Sequence, residues 1–92
     1  MPTFLVEFYV PPARRADIAT VVARTRAVSD ALRAEGTPLR LLHAVVEPAT
    51  ELCLCFFEAD SADAVLEGAR RAELPFDGAP EAVEFVPDRE EK

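Results

Sequence analysis

The apolar residues of this chain alternate between two spacings, a period of two and a period near 3.6. The order in which those spacings follow one another limits the fold more than any other feature. Residues 3–10 (TFLVEFYV) set Phe4, Val6, Phe8 and Val10 on one side of an extended segment and Leu5, Glu7 and Tyr9 on the other. Pro11 and Pro12 cannot donate to a ladder and close it. A purely apolar side suits a central strand. Over residues 14–35 the period becomes helical, with Ile18, Val21, Val22, Thr25, Val28 and Leu32 on one stripe and Arg24, Arg26, Asp30 and Arg33 largely off it. Gly36 is placed to take the left-handed position after the last turn, and Pro38 forbids continuation.

Leu39–Glu47 (LRLLHAVVE) and Leu52–Ala59 (LCLCFFEA) return to the strand pattern and are separated by only Pro48, Ala49, Thr50 and Glu51. A connection that short predicts an antiparallel hairpin. The second run is almost continuously apolar up to Glu58, as expected of a strand covered on both sides. Ser61 or Asp60 caps a second helix over residues 62–72, with Val65, Leu66 and Ala69 inward. Residues 82–86 (AVEFV) form the last strand, and residues 88–92 form a charged tail expected to fray.

Strand, long helix, hairpin, short helix and strand make the split βαβ arrangement. The expected fold is therefore α+β, a ferredoxin-like βαββαβ domain over residues 1–87. Its antiparallel four-stranded sheet carries two helices on one face and leaves the other face bare. A 92-residue chain hides only about 60–65% of the surface its unfolded form exposes, yet half of these residues are apolar. Leu, Phe and Val side chains on a bare sheet face mark a partner surface. Two such faces packed together form a dimeric α/β barrel, so a homodimer is expected.

The formal charge of −7 argues against nucleic acid, whose phosphates need clustered cations. Two arginine groups, Arg14, Arg15, Arg24, Arg26 and Arg33, then Arg70 and Arg71, read as solvated helix faces. Neither a membrane span nor a signal peptide is evident, which makes the cytoplasm the expected compartment, with both cysteines as thiols.

Chemistry is sparse. The glycines, Gly36, Gly68 and Gly78, are scattered and make no phosphate loop, and His43 has no nucleophile at a telling spacing. Cys53 and Cys55 are two apart, which in a strand places them side by side about 6.5–7 Å apart, as buried small hydrophobes rather than a CxxC motif. More informative are the polar residues on the strands. If Phe4, Val6, Phe8, Val83 and Phe85 face the helices, then Glu7, Tyr9 and Glu84 point to the bare side. A carboxylate inside an apolar barrel is costly unless it is paired or ligates something. His43 groups with Leu41, Val45 and Glu47, and Glu58 with Leu52, Leu54 and Phe56. Pairing Glu47 with Glu51 sets His43 opposite Cys55, whereas a shift of one residue sets it opposite Leu54 and away from both thiols.

The opening TFLVEFYVPP, the hairpin RLLHAVVEPATELCLCFFEA and the stretch ADAVLEGARRAELPFDGAPEAVEF resemble a small bacterial ferredoxin-like α/β-barrel family with nickel-binding members, most of unknown function. The resemblance implies a dimeric barrel and a divalent metal, Ni²⁺. Glu7, His43, Cys55 and the pair Glu58–Ala59 match residue types common in that family. Ala44–Val45 stands where members often have Ser-Tyr, Gly68 where many have His, and Glu73 where Gly usually follows. These departures are expected to remove polar groups from the pocket.

Three function classes follow. The preferred one is a non-enzymatic dimeric binding protein holding a divalent metal, nickel by resemblance, or a small apolar ligand in the barrel. Its metal ligands are His43, Glu7 and Glu58, with Tyr9, Cys55 and Glu84 lining the ligand site. Nickel suits imidazole and carboxylate, but one His with one or two Glu per chain needs a second chain or water to complete a shell. The second class is a cofactor-independent oxygenase, isomerase or cyclase. There Glu7 or Glu58 is the general base, and Tyr9 or His43 orients substrate. The third is an interaction module without a site.

Overall fold

The computed structural model describes residues 1–47, 49–74 and 81–86. Strand β1 spans Thr3–Tyr9, helix α1 Ile18–Ala34, strands β2 and β3 Leu39–Glu47 and Leu52–Ala59, helix α2 Ala62–Arg71 and strand β4 Val83–Phe85. The sheet is antiparallel in the order β2-β3-β1-β4, so β1 and β3 are central. This is the ferredoxin-like βαββαβ fold. The tail expected over residues 88–92 lies outside the described residues.

Local chemistry explains each boundary. Residues 14–17, expected as the first α-helical turn, belong instead to a 3-10 turn over Pro12–Asp17 led by Pro12, whose fixed φ and missing N–H suit a helix start. Helix α1 ends where Gly36 turns left-handed at φ 97. There the Gly36 N–H reaches the Arg33 carbonyl at 3.0 Å and the Thr37 N–H the Leu32 carbonyl at 2.9 Å, a paired closure that satisfies two otherwise orphaned carbonyls. Helix α2 begins on Ser61, whose Oγ accepts from the Ala64 N–H at 3.2 Å. It ends in the same paired closure, with the Glu73 N–H on Arg70 and the Leu74 N–H on Ala69. Here the left-handed residue is not glycine but Glu73, at φ 56.

One side of the sheet is sealed. Phe4, Val6 and Phe8 from β1, Leu39 and Leu41 from β2, and Cys53, Cys55, Phe57 and Ala59 from β3 are all buried, in one cluster with Leu32 of α1 and Val65 and Ala69 of α2. Ser29 is also buried, and its hydroxyl donates to the Thr25 carbonyl at 2.9 Å, which is why a polar side chain is tolerated there. Gly68 lets α2 approach β2 closely, since a Cβ at that position would lie 2.5 Å from Leu39 Cδ2. Leu66, expected inward, is only half-buried.

Two face assignments differ from expectation. In β2 the pairing runs Leu41 with Phe57 and then His43 with Phe56, so Leu42 is an extra residue, a bulge. The bulge changes the parity of the strand. Leu41 stays under the helices, while His43, Val45 and Glu47 go to the bare face with Phe56, Leu54 and Leu52. The hairpin register is thus Glu47 with Leu52, neither of the two considered from sequence. In β4, Glu84 pairs with Phe4, a helix-side residue, while Val83 and Phe85 pair with Leu5 and Thr3 on the bare side. Residues opposite one another across an antiparallel pair share a face, so the pairing with β1 reverses the expected orientation of β4.

Candidate functional site on the open sheet face

Register places every bare-face residue on a grid. One row runs Arg40, Glu58, Thr3, Phe85, and the next runs His43, Phe56, Leu5, Val83. A third runs Val45, Leu54, Glu7, and the last Glu47, Leu52, Tyr9. Much of the face is apolar. Val45, Val83 and Phe85 are exposed, and Leu54 and Phe56 between them are half-buried. The His43 and Phe56 rings lie 5.0 Å apart, and Phe56 meets Phe85 edge-on at 5.6 Å, so an aromatic row crosses the face from β2 to β4.

The polar residues are scattered over the face and do not converge. Strands roughly 4.8 Å apart and a rise of roughly 6.8 Å per two residues set the Cα atoms of His43 and Glu7 on the order of 12 Å apart, and those of His43 and Glu58 about 8 Å. Glu58 lies 3.9 Å from the Arg40 guanidinium. The Tyr9 hydroxyl donates to Glu51. Among the described residues no group of three His, Cys, Asp or Glu side chains could hold a metal ion. The described donors of one chain alone do not fit a nickel shell.

Cys55 and Glu84 are on the opposite side of the sheet. Cys55 is buried under the helices beside Cys53, and the two thiols are free. A hydrogen bond to Cys53 and burial both push the Cys55 thiol up, while the same hydrogen bond holds Cys53 down against its own burial. Glu84 is exposed on the helix side of the edge strand. Of the departures from family pattern, only Val45 lies on the bare face. Ala44 pairs with Cys55 on the covered side, Gly68 packs on Leu39, and Glu73 closes a helix. Sequence reasoning missed Arg40 and Glu51 as partners. The correct register would have found Arg40 opposite Glu58, whereas nothing in the sequence links Tyr9 to a residue 42 positions away.

Fold and face together define a small ferredoxin-like α+β domain that presents an apolar, arginine- and histidine-edged sheet surface. A family model described as "Nickel responsive protein SCO4226-like" matches residues 4–79. The chain belongs to this SCO4226-like family. No curated protein and no solved structure gives a significant match. No helix among the described residues is long and apolar enough to cross a membrane.

Proposed function

We propose that this chain is a non-enzymatic binding protein of the cytoplasm that pairs with a second copy through its open sheet face and holds its ligand within the barrel so formed. The observation that carries this reading is the exposure of Val45, Val83 and Phe85 on the same face as the His43–Phe56 and Phe56–Phe85 aromatic contacts. A monomer leaves that apolar surface in water; a dimer removes it. The family's description makes a divalent metal, nickel first, the ligand to test. Because the donors of one chain are dispersed, a metal would be held between copies, with His43 as the essential imidazole and Glu7 or Glu58 as carboxylates. Glu58 would first have to leave Arg40. Cys55 and Glu84 take no part in a bare-face site. The small apolar ligand remains the second occupant that the same barrel would accept.

The test is a titration of tag-free, metal-stripped protein with Ni²⁺ and, for comparison, Zn²⁺, with the mass followed by light scattering. The expected result is a dimer that saturates at a fixed stoichiometry and loses binding in His43→Ala. A dimer whose metal affinity is unchanged in the His43→Ala, Glu58→Ala double variant refutes the metal site. It would favour a site-less interaction module, which the apolar Val45 and the scattered carboxylates also suit. A monomer at all concentrations refutes the barrel.

A further inference from the structure

A cavity of about 450 Å³ opens between the second half of α1 and the bulged edge of β2. Arg26, Ser29, Asp30 and Arg33 line it from the helix, and Arg40 and Leu42 from the strand. In a chain of formal charge −7 this lining takes in three arginines and one aspartate, and with Glu58 3.9 Å from the Arg40 guanidinium the local balance is still one positive charge. Its local field is positive, because charges beyond about 8 Å are largely screened at physiological ionic strength. Arg26 and Arg33 are exposed, as expected of a solvated helix face, but each also holds a strand carbonyl. Arg26 donates to the Leu41 carbonyl at 3.1 Å and Arg33 to the Leu39 carbonyl at 2.7 Å. Each guanidinium has five N–H donors, so both keep donors for a ligand after these bonds. Both are already held in place, and less side-chain freedom is lost when an anion binds. The Ser29 hydroxyl proton is committed to Thr25, so recognition falls to the arginines.

We propose that this cavity binds a small phosphoryl anion, cradled by Arg26, Arg33 and Arg40. Planar guanidinium forks match tetrahedral phosphoryl oxygens with paired hydrogen bonds. Asp30, now bonded to Arg33, is the repulsive element that holds affinity down. The site lies along the β2 edge and α1 and involves none of the metal donors placed on the open face other than through the Arg40–Glu58 contact.

Orthophosphate titrated at constant ionic strength, followed by amide correlation spectra, tests this. The expected result is saturable shifts at the amides of Ser29, Arg33, Arg40 and Leu42. Arg26 and Arg33 also hold main-chain carbonyls, so the deciding variants are elsewhere. Arg40, with a side chain 63% exposed, can be lost without harm to the fold, and Arg40→Gln is expected to weaken binding about three- to tenfold. Asp30→Asn should tighten it several-fold. Non-saturating shifts, or equal affinity in wild type and Arg40→Gln, would overturn the proposal. Succinate binding as tightly as phosphate would overturn the phosphoryl assignment. Because oligomeric mass is read separately, the result stands or falls independently of the metal titration.

Discussion

At the scale of single residues, two positions expose how the chain departs from its family's pattern. Glu73 occupies the left-handed position that ends α2, where a Cβ crowds the following carbonyl. Its main-chain roles, an N–H on Arg70 and a carbonyl that accepts from Arg24, survive replacement by glycine. Glu73→Gly should therefore stabilise the protein by about 1 kcal/mol, read as a higher denaturation midpoint at unchanged slope. Gly68 is the reverse case. Leu39, its neighbour across the helix–sheet gap, is fully buried, so a Cβ here would force its Cδ2 to shift within the core. Gly68→Ala should destabilise by about 1–3 kcal/mol despite the better helix propensity of Ala, and a neutral result by chemical denaturation would refute the close-packing account. A His at this position would meet Leu39, not a ligand pocket.

At the scale of elements, the alternation of periods was sufficient to find all four strands and both helices, because long one-sided apolar patterns have few solutions. Glycine and proline punctuation located the end of α1 to within one residue and named Gly36 as its left-handed position. Facing was less legible. Straight alternation through β2 groups His43 with Leu41, and only a bulge separates them, which no composition signal announces. Strand β4, short and at the edge, gives an apolar pair that pattern alone assigns to the wrong side; pairing with β1 decides. The helices are linked by charge as well as by core packing. Glu67 takes hydrogen bonds from Arg70 and Arg71, and Arg71 also reaches Glu35 at the end of α1. Arg70 first and then Arg71 hold the Glu67 carboxyl below its ordinary range. A carboxylate with a depressed pKa contributes stability above its unfolded value and loses it as pH falls through the folded one. Glu67→Gln should thus lower the unfolding midpoint at neutral pH and make no difference in strong acid. A deficit that persists at low pH would show that packing, not charge, is responsible.

At the scale of the whole molecule, the sealed and bare faces of one sheet demand different explanations. The sealed face accounts for a folded monomer. The bare face, with Val83 at 55% and Phe85 at 43% exposure, is left without an internal purpose. A charge placed within a sheet-on-sheet contact would be desolvated without a partner, at a penalty that opposes association. Phe85→Glu is expected to give a monomer by light scattering, with an unchanged helical circular dichroism signal. A variant that remains dimeric would move the contact away from this face. The edges are already guarded against the alternative of strand-to-strand growth. Arg26 and Arg33 occupy carbonyls two residues apart on β2, and β4 offers only three residues.

The bulge at Leu42 gives this strand an unusual tolerance to changes in length. Residues 39–41 and 43–47 keep consistent pairings on either side of it, so excising Leu42 would join two compatible registers without turning any side chain over. His43 would still meet Phe56, and the barrel-facing surface would be inherited intact, while the arginine-lined cavity would lose part of its wall. A one-residue deletion would then separate the two proposals, opening the wall of the proposed anion site while leaving the His43–Phe56 pairing and the open face in place. Relatives that differ by a single codon here could share one activity and lack the other.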